Sequence, residues 1–175
     1  MLFKRLKNYG SWKTSGAFNI YQDSFPEEVK RNRINQIRVF KDKKYHFDGV
    51  YKNKKMVAIF AYWRLNTGDF IEHFAVKKSL RRQGLGREVI RQFIRQAKRK
   101  IIIEVEKEDI KKSARLIRFY RRLGFKLNKY VYCMPPYKKG GRPIPFYIMT
   151  YSKAINKKEF LRARHEIYKT VYKVK

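Results

Sequence analysis

The stretch from Ile71 to about Lys98 constrains the fold more than any other part of the chain. Phe70 to Val76 reads as a strand, Lys77 to Leu80 as a turn, and Arg81-Arg82-Gln83-Gly84-Leu85-Gly86-Arg87 as the opening of a helix. From Gly84 to about Lys98, Val89, Ile90, Phe93, Ile94 and Ala97 recur at helical spacing on one face. Arg87, Arg91 and Arg95 form an i, i+4, i+8 stripe on the other. Glycines at 84 and 86 let the chain turn tightly and approach a ligand without a Cβ in the way. A helix that starts there aims unpaired N–H groups and a partial positive charge at one point, which suits a pyrophosphate. Arg81, Arg82 and Arg87 add charge. The pattern is not the dinucleotide fingerprint, which needs a third glycine and an early βαβ unit, and no Gly-Lys-Ser/Thr follows as in a nucleotide-triphosphate loop. By itself it also fits a plain turn.

Around this unit the chain alternates element types. Ala17 to Tyr21 is expected as a first strand. Ser24-Phe25-Pro26-Glu27 is expected to start a helix running to about Phe40, with Val29, Ile34 and Ile37 buried. Runs 44–51 and 56–65, joined by Lys52-Asn53-Lys54-Lys55, read as a hairpin. Ile101 to Val105 is a buried strand. Asp109 to Leu123 is a helix with Leu116, Ile117 and Tyr120 on one face and Gly124 at its end. Tyr130–Met134 and Ile144–Tyr151 are strands around a Pro/Gly-rich loop, Pro135 to Pro145. A last helix from about Asn156 to Tyr172 packs Phe160, Leu161 and Tyr168.

The 175 residues suit one domain spanning 1–175, and 43% apolar content is enough for a core. One thiol, Cys133, excludes a disulfide framework and a cysteine-built metal site, and it reads as a small buried hydrophobe. The first residues lack a secretory apolar stretch, and the longest apolar run, Met56 to Trp63, is far short of the ~20 residues that span a bilayer. A soluble, cytoplasmic protein with no membrane partner and no metal is expected. The net charge is +31, from 45 Lys and Arg against 14 Asp and Glu. It is spread over every element rather than gathered in a tail, which leaves two readings, a general basic bias or a polyanionic partner. Either way the surface repels cations.

Residues 81–86, Arg81-x-x-Gly84-x-Gly86, resemble motif A of the GNAT superfamily of acyl-CoA N-acyltransferases, and Phe74-Ala75-Val76 resembles the strand end that precedes it. Tyr120-Arg121-Arg122-Leu123-Gly124-Phe125 looks like that family's Tyr-x-x-x-Gly-Phe helix end. Ile103-Glu104-Val105-Glu106 falls where its fifth strand belongs, and Tyr21-x-x-Ser24-Phe25-Pro26-Glu27-Glu28 resembles its first strand and helix. The likeness covers about residues 17–150.

The resemblance implies an α/β (α+β) fold, a mixed central sheet with splayed middle strands flanked by helices, and acetyl-CoA as cofactor. It implies that main chain at Phe74, Ala75 and Val76 pairs with the pantetheine arm. Residues Arg81, Arg82, Gln83, Gly84, Leu85, Gly86 and Arg87 would hold the pyrophosphate. Phe119 and Ser113 would lie against the cofactor, Ser113 standing where the family often has asparagine. Tyr120 would be the general acid on the leaving thiolate; the bland alternative is a core tyrosine. An amine of pKa ~10.4 needs a base, often through water. Glu72 is the first candidate, with Glu104 and Glu106 as runners-up, and simple pairing with arginine as the alternative for each. His73 alternates with Glu72 and reads as structural.

Three functions follow from different classes. The first is transfer of an acetyl group from acetyl-CoA to a primary amine, directly, in a ternary complex, with a neutral or anionic small-molecule or protein acceptor favoured by the charge. The second is a nucleic-acid- or ribosome-associated binding protein on an acyltransferase scaffold, motivated by Lys111, Arg115, Arg118 and Arg122. The third, anionic membrane surfaces, is disfavoured because Lys and Arg interrupt the last helix. The loop 135–145 is long enough for a lid or a homodimer contact.

Overall fold

The computed structural model describes residues 1–107, 110–138 and 140–174, with the main chain alone described at 110–113. The fold is mixed α/β. The strands are β1 (Leu2–Arg5), β2 (Tyr45–Lys52), β3 (Lys55–Leu65), β4 (Gly68–Val76), β5 (Ile101–Glu106), β6 (Phe125–Met134) and β7 (Ile144–Tyr151). The helices are α1 (Tyr9–Thr14), α2 (Ala17–Ser24), α3 (Arg33–Phe40), α4 (Leu85–Gln96), α5 (Ile110–Arg121) and α6 (Lys157–Ile167). Strand order across the sheet is β1-β2-β3-β4-β5-β7-β6. The chain divides into two compact units, Met1–Arg64 with Ile71–Gln96, and Leu65–Phe70 with Ala97–Lys175.

In the first unit, β1 pairs antiparallel with β2 and β2 with β3. Asn53 and Lys54 adopt the left-handed conformation that the two-residue hairpin turn demands. Side chains on β3 alternate between two layers. Phe60 and Tyr62 meet Phe93 of α4 at ring distances of 4.5 and 5.1 Å. Trp63 lies 4.9 Å from Tyr45. Trp12 of α1 holds the helical layer together, with its ring 5.0 Å from Phe18, 5.4 Å from Tyr21, 5.9 Å from Phe40 and 5.8 Å from Phe47. Such pairs add ~0.5–1.5 kcal/mol each beyond the area they bury. On α4, Leu85, Val89, Ile90 and Phe93 are buried and Arg87, Arg91 and Arg95 are exposed, as their spacing requires.

Two expectations for this unit are corrected. Ala17–Tyr21 is helical, not a strand: Ala17, Ile20 and Tyr21 are the buried positions, which is i, i+3, i+4 spacing. The single helix from Ser24 to Phe40 is broken. Phe25 is extended, as a residue before proline prefers, and only a 3-10 turn, Glu27–Val29, precedes the extended Lys30. α3 starts later, capped by the Asn32 side chain on Asn35 N at 2.9 Å. That shift in phase buries Gln36 and Val39 and leaves Ile34 62% exposed. β1 and α1 precede the first element expected from the sequence.

In the second unit, β7 pairs antiparallel with both β5 and β6. β6 begins at Phe125, earlier than expected, and its register shifts between Asn128 and Tyr132. α6 opens with a capping box: Asn156 accepts from Glu159 N at 2.9 Å and Glu159 accepts from Asn156 N at 3.0 Å. It buries Phe160, Ala163 and Ile167, continues as a π-helical turn, Tyr168–Tyr172, and leaves Leu161 exposed rather than packed. Leu116 on α5 is also exposed at its surface. Cys133 is half-buried. Gly68 is required where it stands, because a Cβ there would sit 2.5 Å from the Lys100 carbonyl oxygen. No helix among the described residues is long and apolar enough to cross a membrane.

Candidate active site

The turn between β4 and α4 is shaped by two left-handed residues, Arg82 (φ 66°) and Gly84 (φ 77°). A Cβ on Gly84 would meet no protein atom within 4 Å, so the glycine serves the backbone and the open space above it rather than packing. Alternating main-chain handedness of this kind turns successive N–H groups toward one concavity, an anion-binding nest. α4 begins at once, with Glu88 N bonding Gly84 O at 3.2 Å, and Leu85 anchors the first turn in the core. Arg82, Gln83 and Arg87 are exposed and Gly86 is half-buried. Arg81 braces the turn instead of pointing away: its Nε donates to Val76 O at 3.1 Å and its Nη2 to Ser24 Oγ at 2.9 Å.

On β4, Phe74 packs its ring 5.6 Å from Phe60 and Ala75 is buried. Phe74 and Val76 are half-buried. Glu72 is similar: its side chain is 1% exposed although the residue as a whole is half-buried, so its accessible part is main chain. The Glu72 carboxylate is held by an ion pair with Arg31 and accepts from Trp63 Nε1 at 3.1 Å; His73 Nδ1 lies 3.5 Å away. Burial alone would raise its pKa, but the Arg31 charge and the His73 and Arg31 contacts hold it far below the usual carboxylate range. His73 Nε2 sits 2.8 Å from Val29 O, with its ring edge-on to Tyr21 and Phe25. Its structural reading agrees with that packing.

The second unit holds the other candidates. Tyr120 is buried at the end of α5, against Phe119 at 5.1 Å and Phe125 at 5.4 Å, and burial raises its pKa, so the phenol keeps its proton. Phe119 is half-buried. The Ser113 side chain lies outside the described residues. Glu104 on β5 receives two phenols: Tyr132 donates to one carboxylate oxygen and Tyr172 to the other, the latter at 2.7 Å. Burial and the Glu104 charge push the Tyr132 phenol well above its usual value. Glu106 is half-buried on the same strand.

Arg31, Trp63, Tyr132 and Tyr172 were not singled out from sequence. Arg31 stands 41 positions from Glu72, and no local pattern joins them.

The chain matches the profile of the acetyltransferase (GNAT) family over residues 14–125. No curated protein matches it. Among solved structures, a GNAT-family protein from Bacteroides thetaiotaomicron superposes with a TM-score of 0.93 at 27% identity, covering 100% of both chains. The ribosomal-protein-S18-alanine N-acetyltransferase of Escherichia coli is similar at 21% identity, TM-score 0.61, over 89% of this chain and 97% of that one. A GNAT family acetyltransferase from Elizabethkingia anophelis with acetyl-CoA bound is similar at 15% identity, TM-score 0.60, over 86% and 96%. The last two likenesses speak for the fold alone.

Proposed function

This chain belongs to the acetyltransferase (GNAT) family, and from that premise we propose that it transfers the acetyl group of acetyl-CoA directly to a primary amine held beside it. The observation that carries the reading is the turn 81–87. Left-handed Arg82 and Gly84, an open space where a Cβ would stand, a helix start and three arginines suit a pyrophosphate. Acetyl-CoA, when bound, supplies the thioester whose carbonyl is attacked.

In this reading the amides from Arg82 to Arg87 bind the diphosphate, and Arg81 keeps the turn rigid through Val76 and Ser24. Main chain at Phe74, Ala75 and Val76 orients the pantetheine arm. Phe119 and Ser113 are proposed cofactor contacts. Tyr120 is the proton donor to the departing thiolate, whose conjugate acid has a pKa near ~8.5. Burial keeps that phenol protonated and always able to donate, while its raised pKa makes it a weak acid, so a hydrogen bond to the thiolate precedes any full transfer. Holding the reactants in one geometry does most of the remaining work.

Glu72 and Glu104 divide the base role unequally. Glu72 stays ionised, but with Arg31 on it the carboxylate has little affinity for a proton, and its better-supported part is to fix segment 29–31 on β4. Glu104 accepts one tyrosine hydroxyl on each oxygen, and we assign it the base, acting through one of those phenols, which gives its hydrogen to the carboxylate as it takes the amine's. The positive surface favours neutral or anionic acceptors. The test is calorimetric titration with acetyl-CoA, followed by mass-spectrometric detection of acetylated amines from a mixed panel. Binding together with N-acetyl products from neutral amines is expected. Absence of binding at millimolar acetyl-CoA overturns the reading.

A further inference from the structure

From Ile110 to Lys158 the sequence holds no aspartate or glutamate and fourteen Lys or Arg, although acids occur on both sides of it. This stretch runs through α5, β6 and β7 to the start of α6, all within the second unit. There it forms a cavity of about 620 Å³ whose lining includes Arg121, Lys126, Lys129 and Lys153, together with the Ser152 hydroxyl. All five side chains are exposed, and among the described residues no acid lines the groove. We propose that this groove binds the phosphodiester backbone of a nucleic acid, using residues that take no part in the proposed acetyl transfer.

The site is built, not a chance gathering of flexible lysines. Buried Asn128 ties its two rims together: its Nδ2 donates to Ile148 O at 3.2 Å and Thr150 Oγ1 at 3.1 Å, and its Oδ1 accepts from Ile155 N at 2.9 Å. Thr150 in turn donates to Lys153 O at 2.7 Å. Lys126 is the cross-strand partner of Thr150, so Lys126 and Lys153 share one hydrogen-bonded frame, and Lys129 follows Asn128 where the register shifts. Ser152 takes a left-handed turn (φ 73°), held by its N–H on Gly124 O at 3.1 Å. Fixing the backbone beneath the cations lowers the ordering cost of binding.

Three of the four cations are lysines, compact point charges on flexible stems that can follow a line of phosphates without fixed bidentate geometry. Exposed Arg115, Arg118 and Arg122 extend the same sign along α5. The lining offers no exposed aromatic ring for base stacking, so backbone contact without sequence reading is expected.

The test is fluorescence polarisation with an end-labelled 20-nucleotide RNA hairpin across a potassium chloride series. At roughly 0.9 log units of affinity per log unit of salt for each duplex contact, Lys126→Glu with Lys129→Glu and Lys153→Glu should weaken binding about 500-fold at ~0.1 M salt and flatten the salt slope by about 3. A control triple of equal charge, Lys13→Glu with Lys41→Glu and Lys43→Glu, uses exposed lysines of the first unit and should weaken it less than about fivefold. Equal losses in the two triples overturn the proposal in favour of diffuse charge, as does absence of wild-type binding at ~0.1 M salt. Displacement of the hairpin by duplex DNA supports a phosphodiester site; equal displacement by polyglutamate at matched charge overturns it. The acetyl-CoA-induced rise in Tm should be the same in the groove triple and wild type, which separates failure here from failure of the acetyltransferase reading.

Discussion

Arg31 and Glu72 form an ion pair in which the two side chains keep only 2% and 1% of their accessible surface. The guanidinium also lies over the rings of Trp63 at 5.7 Å and Tyr45 at 5.9 Å, while Trp63 donates to the carboxylate. His73 reaches Val29 O from the next position of β4. The pair therefore fastens the extended segment between the 3-10 turn and α3 to the strand that leads into the cofactor turn.

Breaking this pair from one side should be far more damaging than replacing both partners, because a lone buried charge is left behind. Arg31→Met is expected to lower unfolding free energy by about 3–5 kcal/mol, and Arg31→Met with Glu72→Gln to recover a large part of it. Glu72 has a folded pKa below its unfolded value. Its stabilising contribution is therefore complete above the unfolded pKa of ~4.3 and disappears as pH falls through the folded value. Urea midpoints from pH 7 down to pH 3 check both points; a wild type whose midpoint holds constant below pH 4 contradicts the second.

Asp48 should show the opposite slope. Burial pushes its carboxyl up to about 6 despite the charges of Arg5 and Arg64. A raised folded pKa means that the folded state takes up a proton more readily, so Asp48 lowers stability at pH 7–8 and the penalty fades as pH drops toward 4. Asp48→Asn is expected to stabilise by about 1–3 kcal/mol at pH 8 and by little at pH 4. Thermal unfolding at the two pH values decides; equal effects at both would mean that the carboxyl does not titrate in this range.

Glu72 and Glu104 mark the limit of what the sequence discloses. The cofactor turn was legible because glycines, a strand end and a helix periodicity all act locally, and α4 and the β2–β3 hairpin followed the same way. Ala17–Tyr21 was misread because five residues with four apolar members fit strand and helix spacing alike, and only the rings around Trp12 decide between them. The helix expected through Lys30 gave way because non-local bonds hold that segment extended: Arg31 to Glu72, and Lys30 to Gln22 at 2.5 Å. The electrostatics of Glu72 and Glu104 depends on partners 28 to 68 positions away, Tyr132, Arg31 and Tyr172, which no local pattern ties to them.

Gly84→Ala tests the cofactor turn. The new methyl would meet no protein atom, so the stability loss should be limited to the left-handed conformation, about 1–2 kcal/mol. Gly124→Ala should lose more, since its Cβ would also come within 3.0 Å of the Tyr151 ring. Affinity for acetyl-CoA should rank the other way, with Gly84→Ala at least tenfold weaker and Gly124→Ala close to wild type. Calorimetric titration beside Tm measurements reads both orders; equal affinities would remove the space above Gly84 from the binding site.

Tyr120→Phe separates chemistry from binding at the second unit. The phenol is buried between Phe119 and Phe125, so loss of the hydroxyl keeps the ring packing and should change Tm little. If Tyr120 is the proton donor, kcat should fall by roughly 10²–10⁴ while Kd for acetyl-CoA stays within about twofold. Glu104→Gln should lower kcat as well, but for a different reason, and the pH profile distinguishes them. Removing the base deletes the acidic limb of the kcat/KM profile, whereas removing a donor that stays protonated throughout the neutral range leaves that limb in place. Glu72→Gln, acting through segment 29–31, should instead lower stability first. Full kcat in Tyr120→Phe would return this tyrosine to an ordinary place in the core.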